Sequence, residues 1–157
     1  MSNIVYLTKE KMKEIEAELN DLRTRGRREI AQKIADARSH GDLSENADYD
    51  AAKDEQALME LKISKLSTTL SKAQVINADE FPTDKVYILS KVKVKNLANN
   101  GLFEFMMVGA EEADYEKNKI AITSPLGKSL MGKAIGEIAE VNVPAGKMQY
   151  EILEIYR

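Results

Sequence analysis

Apolar residues recur at heptad spacing through two neighbouring stretches of this chain, and few folds accommodate that pattern. Met12, Ile15, Leu19 and Leu22 follow one another at 3-4-3 intervals, and Ala52, Gln56, Met59, Ile63, Leu66, Leu70 and Ala73 at 4-3-4-3-4-3 intervals. Such a series buries one narrow stripe of a helix against a partner helix. Residues 8–75 contain no Pro and only two Gly, Gly26 and Gly41, among many Glu, Lys, Arg, Ala and Leu, which all favour helix. Thr8 is placed to cap the first helix, with Leu7 and Met12 as a hydrophobic staple. After Gly26 and the run Arg23, Arg25, Arg27, Arg28, the seam resumes at Ile30, Ile34 and Ala37, displaced by one position. A local change of helical winding is expected there. Gly41 then ends the first helix. Two helices joined by so short a turn run antiparallel, so residues 1–78 are expected to form a coiled-coil hairpin with its tip near 41–46. Arms of about 30 residues rise roughly 45 Å, an arm expected to protrude from the rest of the chain.

The remainder follows a different pattern. The composition changes near Asp79-Glu80-Phe81-Pro82-Thr83, and all three Pro and six of the eight Gly follow Glu80. Val86–Leu89 and Val92–Lys95 read as strands. The turn Asn99-Asn100-Gly101 then leads into Leu102–Val108, a hairpin signal. Ile120–Ile122, Val141–Val143 and Met148–Tyr156 read as further strands, and Ser124–Gly132 as a loop with a short helix. The expectation for residues 79–157 is a small, strongly twisted antiparallel sheet with one helix against it, so the whole chain is α+β. At this size its core is near the lower limit for independent folding.

Composition excludes several functions. There is no Cys, which removes disulfides, Cys-based zinc sites and thiol nucleophiles. The one His, His40, beside Gly41, is expected as a helix-terminal residue favoured by the helix dipole. No apolar run approaches the length of a membrane span, and the first residues carry no basic region followed by an apolar core. A cytoplasmic protein without a membrane partner is expected. Aromatic residues make up 6% of the chain and Trp is absent, which argues against a stacking platform for single-stranded bases.

The net charge is only −3, so the local charge is what informs. Residues 23–38 carry six cations against two anions, whereas residues 42–55 carry six anions against Lys53. A hairpin built this way has an acidic tip and a basic arm behind it. Either run also fits a solvated coiled-coil flank with i,i+4 pairs. Asp42 and Glu45, three apart, fit the cap and third position of the second helix. The same spacing at a helix start sets two carboxylates side by side, which suits a hard cation such as Mg²⁺ that takes one or two protein carboxylates and completes its shell with water and substrate phosphate. Such a pair, delivered to a site already holding one metal and a phosphodiester, would complete a two-metal arrangement.

The stretch from Ile34 to Lys53, with the core Gly41-Asp42-Leu43-Ser44-Glu45-Asn46-Ala47-Asp48-Tyr49-Asp50-Ala51-Ala52, resembles the signature of the bacterial transcription elongation factors GreA and GreB. Val108-Gly109, Glu112-Ala113-Asp114, Ser124-Pro125-Leu126-Gly127-Lys128 and Gly132-Lys133 resemble that family's C-terminal motifs in the same order. The cationic run lies mostly away from the tip, which fits GreA better than GreB.

The resemblance implies a coiled-coil hairpin joined to an FKBP-like domain. It implies a monomer that binds RNA polymerase at the secondary channel, reaches the active site with the hairpin and stimulates the polymerase's own cleavage of backtracked RNA. It would not be an enzyme by itself. By motif, Asp42 and Glu45 would hold the second Mg²⁺ jointly with the polymerase and position the attacking water, and Asn46 would support the tip. Arg38 and Lys53, extended by Lys33 and Arg28, would contact the nascent RNA 3′ segment. Ser124, Pro125, Gly127 and Lys128 form the candidate polymerase-binding motif. Some relatives inhibit the polymerase without stimulating cleavage. That regulator is the alternative, and a coiled-coil adaptor with purely solubilising tip charge is a third. Prolyl isomerase activity, which an FKBP-like fold suggests, is not expected, because the rings after Glu80 offer no aromatic-lined pocket and several of them are expected in the core.

Overall fold

A computed structural model describes residues 4–39 and 46–157. The chain forms two compact units, one of Glu10–Ala73 and one of residues 4–9 with Gln74–Arg157.

The helical unit contains helix α1 (Lys9–Asp21), a π-helical segment (Leu22–Gly26), α2 (Arg27–Arg38) and α3 (Ala47–Lys72). Ile15, Leu19, Ile30 and Ala37 are buried on the first arm and Ala52 and Ile63 on the second, all from the heptad series. The displaced seam has a simple cause. A π-helical turn accommodates one extra residue within an otherwise α-helical rod. The segment Leu22–Gly26 therefore turns the helix so that Ile30 and Ala37 return to the face that Ile15 and Leu19 occupy. A Cβ on Gly26 would lie 3.2 Å from Met59 Sδ, so the glycine permits a close approach of the arms there.

Three of the four clustered arginines bond within the hairpin, and two of these, Arg23 and Arg27, bridge its arms. Arg25 pairs with Asp21 at 2.6 Å and with Glu29 at 3.0 Å along its own helix. Arg27 makes a two-pronged contact with Glu60 of α3 at 2.9 and 3.0 Å, Arg23 donates to Ser67 Oγ, and Lys62 pairs with Glu18.

In the other unit, β1 (Val5–Leu7) pairs with β2 (Ala73–Val75). Leu7 is fully buried, its carbonyl accepts from the Ile76 N–H, and the next residue, Thr8, donates its N–H and hydroxyl to the buried Glu112 carboxylate. These contacts bring residues 4–9 into the unit of residues 74–157.

The main sheet is built from β3 (Lys91–Asn96), β4 (Leu102–Val108), β5 (Lys119–Ala121), β6 (Ile138–Val143) and β7 (Gly146–Tyr156), in the order β5-β4-β3-β7-β6. All pairs are antiparallel except β4 with β5, which is parallel and makes the sheet mixed. The short helix α4 (Pro125–Leu130) contributes the fully buried Leu130 to a core with Val92, Val94, Met107 and Ile152. Phe105 and Tyr150 pack edge to face in the same core, in agreement with the expectation that the rings serve packing.

Val86–Leu89 is not a strand. The Ser90 N–H donates to the Tyr87 carbonyl, the Tyr87 N–H donates to Ser90 Oγ, and Leu89 adopts φ +69°. The segment is a turn that drops its apolar side chains into two cores, Val86 into one and Ile88 and Leu89 into another. A run of apolar residues bounded by turn residues reads as a strand whether it lies in a sheet or folds over one.

Candidate functional site

The end of the hairpin is organised by Asn46. Its Oδ1 accepts from the Tyr49 N–H at 3.1 Å, which caps α3 and satisfies one of the helix's orphan donors. Its Nδ2 donates to the Ala37 carbonyl at the end of α2. One side chain thus ties the start of one arm to the end of the other. The cap of α3 is Asn46, so the alternative in which Asp42 caps that helix does not describe it. Asp42 and Glu45 themselves, with His40, lie outside the described residues. They fall in the connection of residues 39–46 between α2 and α3.

The candidate basic residues separate into distinct positions. Ala52 and Ile63 mark the buried seam of α3. Tyr49 and Lys53 flank it on one side, and Asp48 and Glu55 on the other, as the rotation of about 100° per residue requires. The Arg38 guanidinium lies over the Tyr49 ring, 5.9 Å from its centroid. Lys53 follows Tyr49 by one helical turn and donates to Gln56 Oε1 at 3.0 Å. Arg38 and Lys53 thus stand on opposite arms, on the flank of the seam that Tyr49 occupies.

Lys33 does not join them. It is drawn to the other flank by Glu55, with Nζ to oxygen distances of 2.9 and 3.2 Å. It borders a groove there with Asp36, Asp48 and Glu55. Arg28 is exposed and stands about half a turn around α2 from the buried Ala37. Lys33 and Arg28 are thus not continuous with the Arg38–Lys53 patch.

The C-terminal motif is built into the local structure. Ser124 Oγ accepts from the Gly127 N–H at 3.0 Å and donates to the Ala121 carbonyl at 2.7 Å, and Pro125 occupies the first turn of α4. Gly127 is buried, and a Cβ there would lie 1.9 Å from the Ala121 carbonyl oxygen. Lys128 is exposed and is the one charged side chain that this motif offers to solvent.

Among the described residues no group of three or more His, Asp, Glu or Cys side chains is arranged to hold a metal ion. No helix among them is long and apolar enough to cross a membrane. Sequence reasoning overlooked Tyr49. The signal was present, since it stands three residues beyond the cap and four before Lys53.

The architecture is that of a two-unit transcription elongation factor. Residues 5–75 match the family described as "Transcription elongation factor, N-terminal", and residues 81–157 match "Transcription elongation factor, GreA/GreB, C-term". The chain belongs to the GreA/GreB family. It is 48% identical over 158 residues to transcription elongation factor GreA of Prosthecochloris aestuarii, which covers 99% of each chain. It is 49% identical over 155 residues to that of Chloroherpeton thalassium, covering 99% of this chain and 98% of the relative. With the factor from Flavobacterium johnsoniae the identity is 46% over 157 residues. Among solved structures it is similar to GreA factor homolog 1 (Gfh1) of Thermus thermophilus, 24% identical with a TM-score of 0.45, covering 99% of this chain and all of that one. It is also similar to a GreA/GreB factor from Nitrosomonas europaea, 19% identical with a TM-score of 0.44, covering 99% of each chain.

Proposed function

We propose that this protein acts in the cytoplasm as a monomer that binds RNA polymerase, passes its coiled coil through the secondary channel and stimulates the polymerase's own cleavage of backtracked RNA. The C-terminal unit, read as FKBP-like, is the docking base in this account, with Lys128 and its motif at the contact. The observation that carries the reading is the connection Gly41-Asp42-Leu43-Ser44-Glu45, whose following residue Asn46 ties both arms together. Glu45 directly precedes that tie in the sequence and Asp42 stands three residues before Glu45, so both carboxylates belong to the segment that the tie closes.

Asp42 and Glu45 supply hard oxygen donors, and two carboxylates are too few to retain Mg²⁺ unaided. The donor set therefore fits a metal shared with the polymerase, which when bound offsets charge on the scissile phosphodiester and lowers the pKa of a coordinated water. Asp42 and Glu45 would hold that metal and would orient the attacking water by accepting hydrogen bonds from it. Arg38 and Lys53 hold the displaced 3′ segment by its phosphates, which fixes strand direction without selecting sequence. α3 alone rises about 39 Å over its 26 residues, a length suited to reaching a buried centre.

The test adds the protein with Mg²⁺ to a stalled, backtracked bacterial elongation complex and follows RNA length. Release of short 3′ fragments and resumed elongation are expected. Binding that slows elongation without shortening the RNA makes the protein a channel-blocking regulator. Neither binding nor cleavage leaves the adaptor reading.

A further inference from the structure

We propose that Tyr49 is a positioning residue for the RNA contact: its ring holds the Arg38 guanidinium in place on the flank of the hairpin that also carries Lys53, so that Arg38 takes a phosphate of the strand. The inference rests on the transcript-cleavage reading and adds a residue that the motif's acidic and basic positions leave unused. Three observations carry it. The guanidinium lies over the ring at 5.9 Å, while Arg38 is exposed and has no carboxylate partner among the described residues. The backbone points that carry these two groups are themselves joined, because Asn46 accepts from the Tyr49 N–H and donates to the carbonyl of Ala37, the residue before Arg38. Lys53 donates to the neutral Gln56 and has no carboxylate partner among the described residues, whereas Lys33 on the other flank is paired with Glu55.

A guanidinium stacked on a ring keeps its N–H edge directed outward, where it donates to a phosphate in a two-pronged fashion. Stacking also removes much of the rotamer freedom that an exposed arginine otherwise loses on binding. The tyrosine acts through Arg38 and need not touch the RNA.

The experiment measures cleavage of a backtracked complex at limiting factor concentration, with polymerase binding and helical content followed in parallel. The variants are Tyr49→Leu, Tyr49→Phe, Arg38→Ala and the double variant Tyr49→Leu/Arg38→Ala. Tyr49→Leu is expected to lower stimulation about 2- to 5-fold, the range of an exposed cation–π contact. Tyr49→Phe should retain it, since the ring remains. On the Arg38→Ala background, Tyr49→Leu should cause no further loss, because a residue acting only through Arg38 has nothing left to position. Wild-type-like activity of Tyr49→Leu, or equal losses on both backgrounds, overturns this inference while cleavage by the wild type stands. A wild type that binds without stimulating cleavage overturns the functional reading and this inference together.

Discussion

Gly127 and Lys128 are neighbours in α4, and their replacements are expected to fail in different ways. Any side chain at Gly127 meets the Ala121 carbonyl, so backbone must move, and Gly127→Ala should cost about 1–3 kcal/mol. Thermal unfolding would register this as a lowered midpoint. Lys128→Glu should leave the midpoint nearly unchanged, within about 0.5 kcal/mol, and weaken polymerase binding in a pull-down or titration. If Lys128→Glu binds like the wild type, the motif serves the fold alone. Asn46→Ala removes both a cap and an inter-arm bond and should cost the helical unit about 1–3 kcal/mol. The far-ultraviolet melting curve measures it, and an unchanged midpoint would mean that water replaces both bonds. At this scale the sequence was legible where a side chain acts on its own neighbours in the chain. Ser124 before Pro125 announces a helix start. It was not legible where a partner is remote, as with Glu112, whose carboxylate receives the Thr8 N–H and hydroxyl from the far end of the chain.

The helices were legible in position and in phase, because burial follows from a period that sequence displays directly. Even the π-helical segment announced itself as a seam displaced by one residue. Deleting Thr24, which is exposed within that segment, should convert it to plain α-helix and leave the hairpin folded, since Leu22 and Ile30 would then stand one heptad apart. Deleting the exposed Gln32 should instead rotate Ala37 out of the seam and lower the melting temperature sharply. Similar effects of the two deletions would contradict this account of the winding. The cross-arm charges were not legible, because nothing in the sequence links Arg27 to Glu60. The Arg27 guanidinium holds the Glu60 carboxyl below the usual glutamate range, and it does so at the surface. The pair's contribution is therefore fully present above the ordinary glutamate pKa of about 4.3 and is lost as the pH falls through the lowered value. Glu60→Gln should melt earlier than the wild type at neutral pH and low salt. The gap should close in strong acid and narrow at high ionic strength. A gap that does not depend on pH would assign the loss to packing. In the sheet, the parallel pairing of β4 with β5 escaped sequence reading. Only Met106–Val108 of β4 pair with Lys119–Ala121, and pairing direction depends on the connection between the strands rather than on either strand's residues.

On the scale of the whole molecule, the chain divides its labour between a helical unit whose end carries the acidic connection and a sheet unit with its own core. Within the cationic run, Arg25, Arg27 and Lys33 are paired with carboxylates of the hairpin, whereas Arg28 and Arg38 have no carboxylate partner among the described residues. We propose that Asp42 and Glu45 make the catalytic contribution and that the rest of the protein delivers and holds them. The direct measurement compares wild type with Asp42→Asn/Glu45→Gln in Mg²⁺-dependent cleavage of a stalled, backtracked elongation complex, with polymerase affinity measured on the same preparations. The account predicts that cleavage stimulation falls at least about 100-fold, the scale of losing a group that stabilises developing charge, while affinity is retained. A variant that binds and still stimulates cleavage would contradict it.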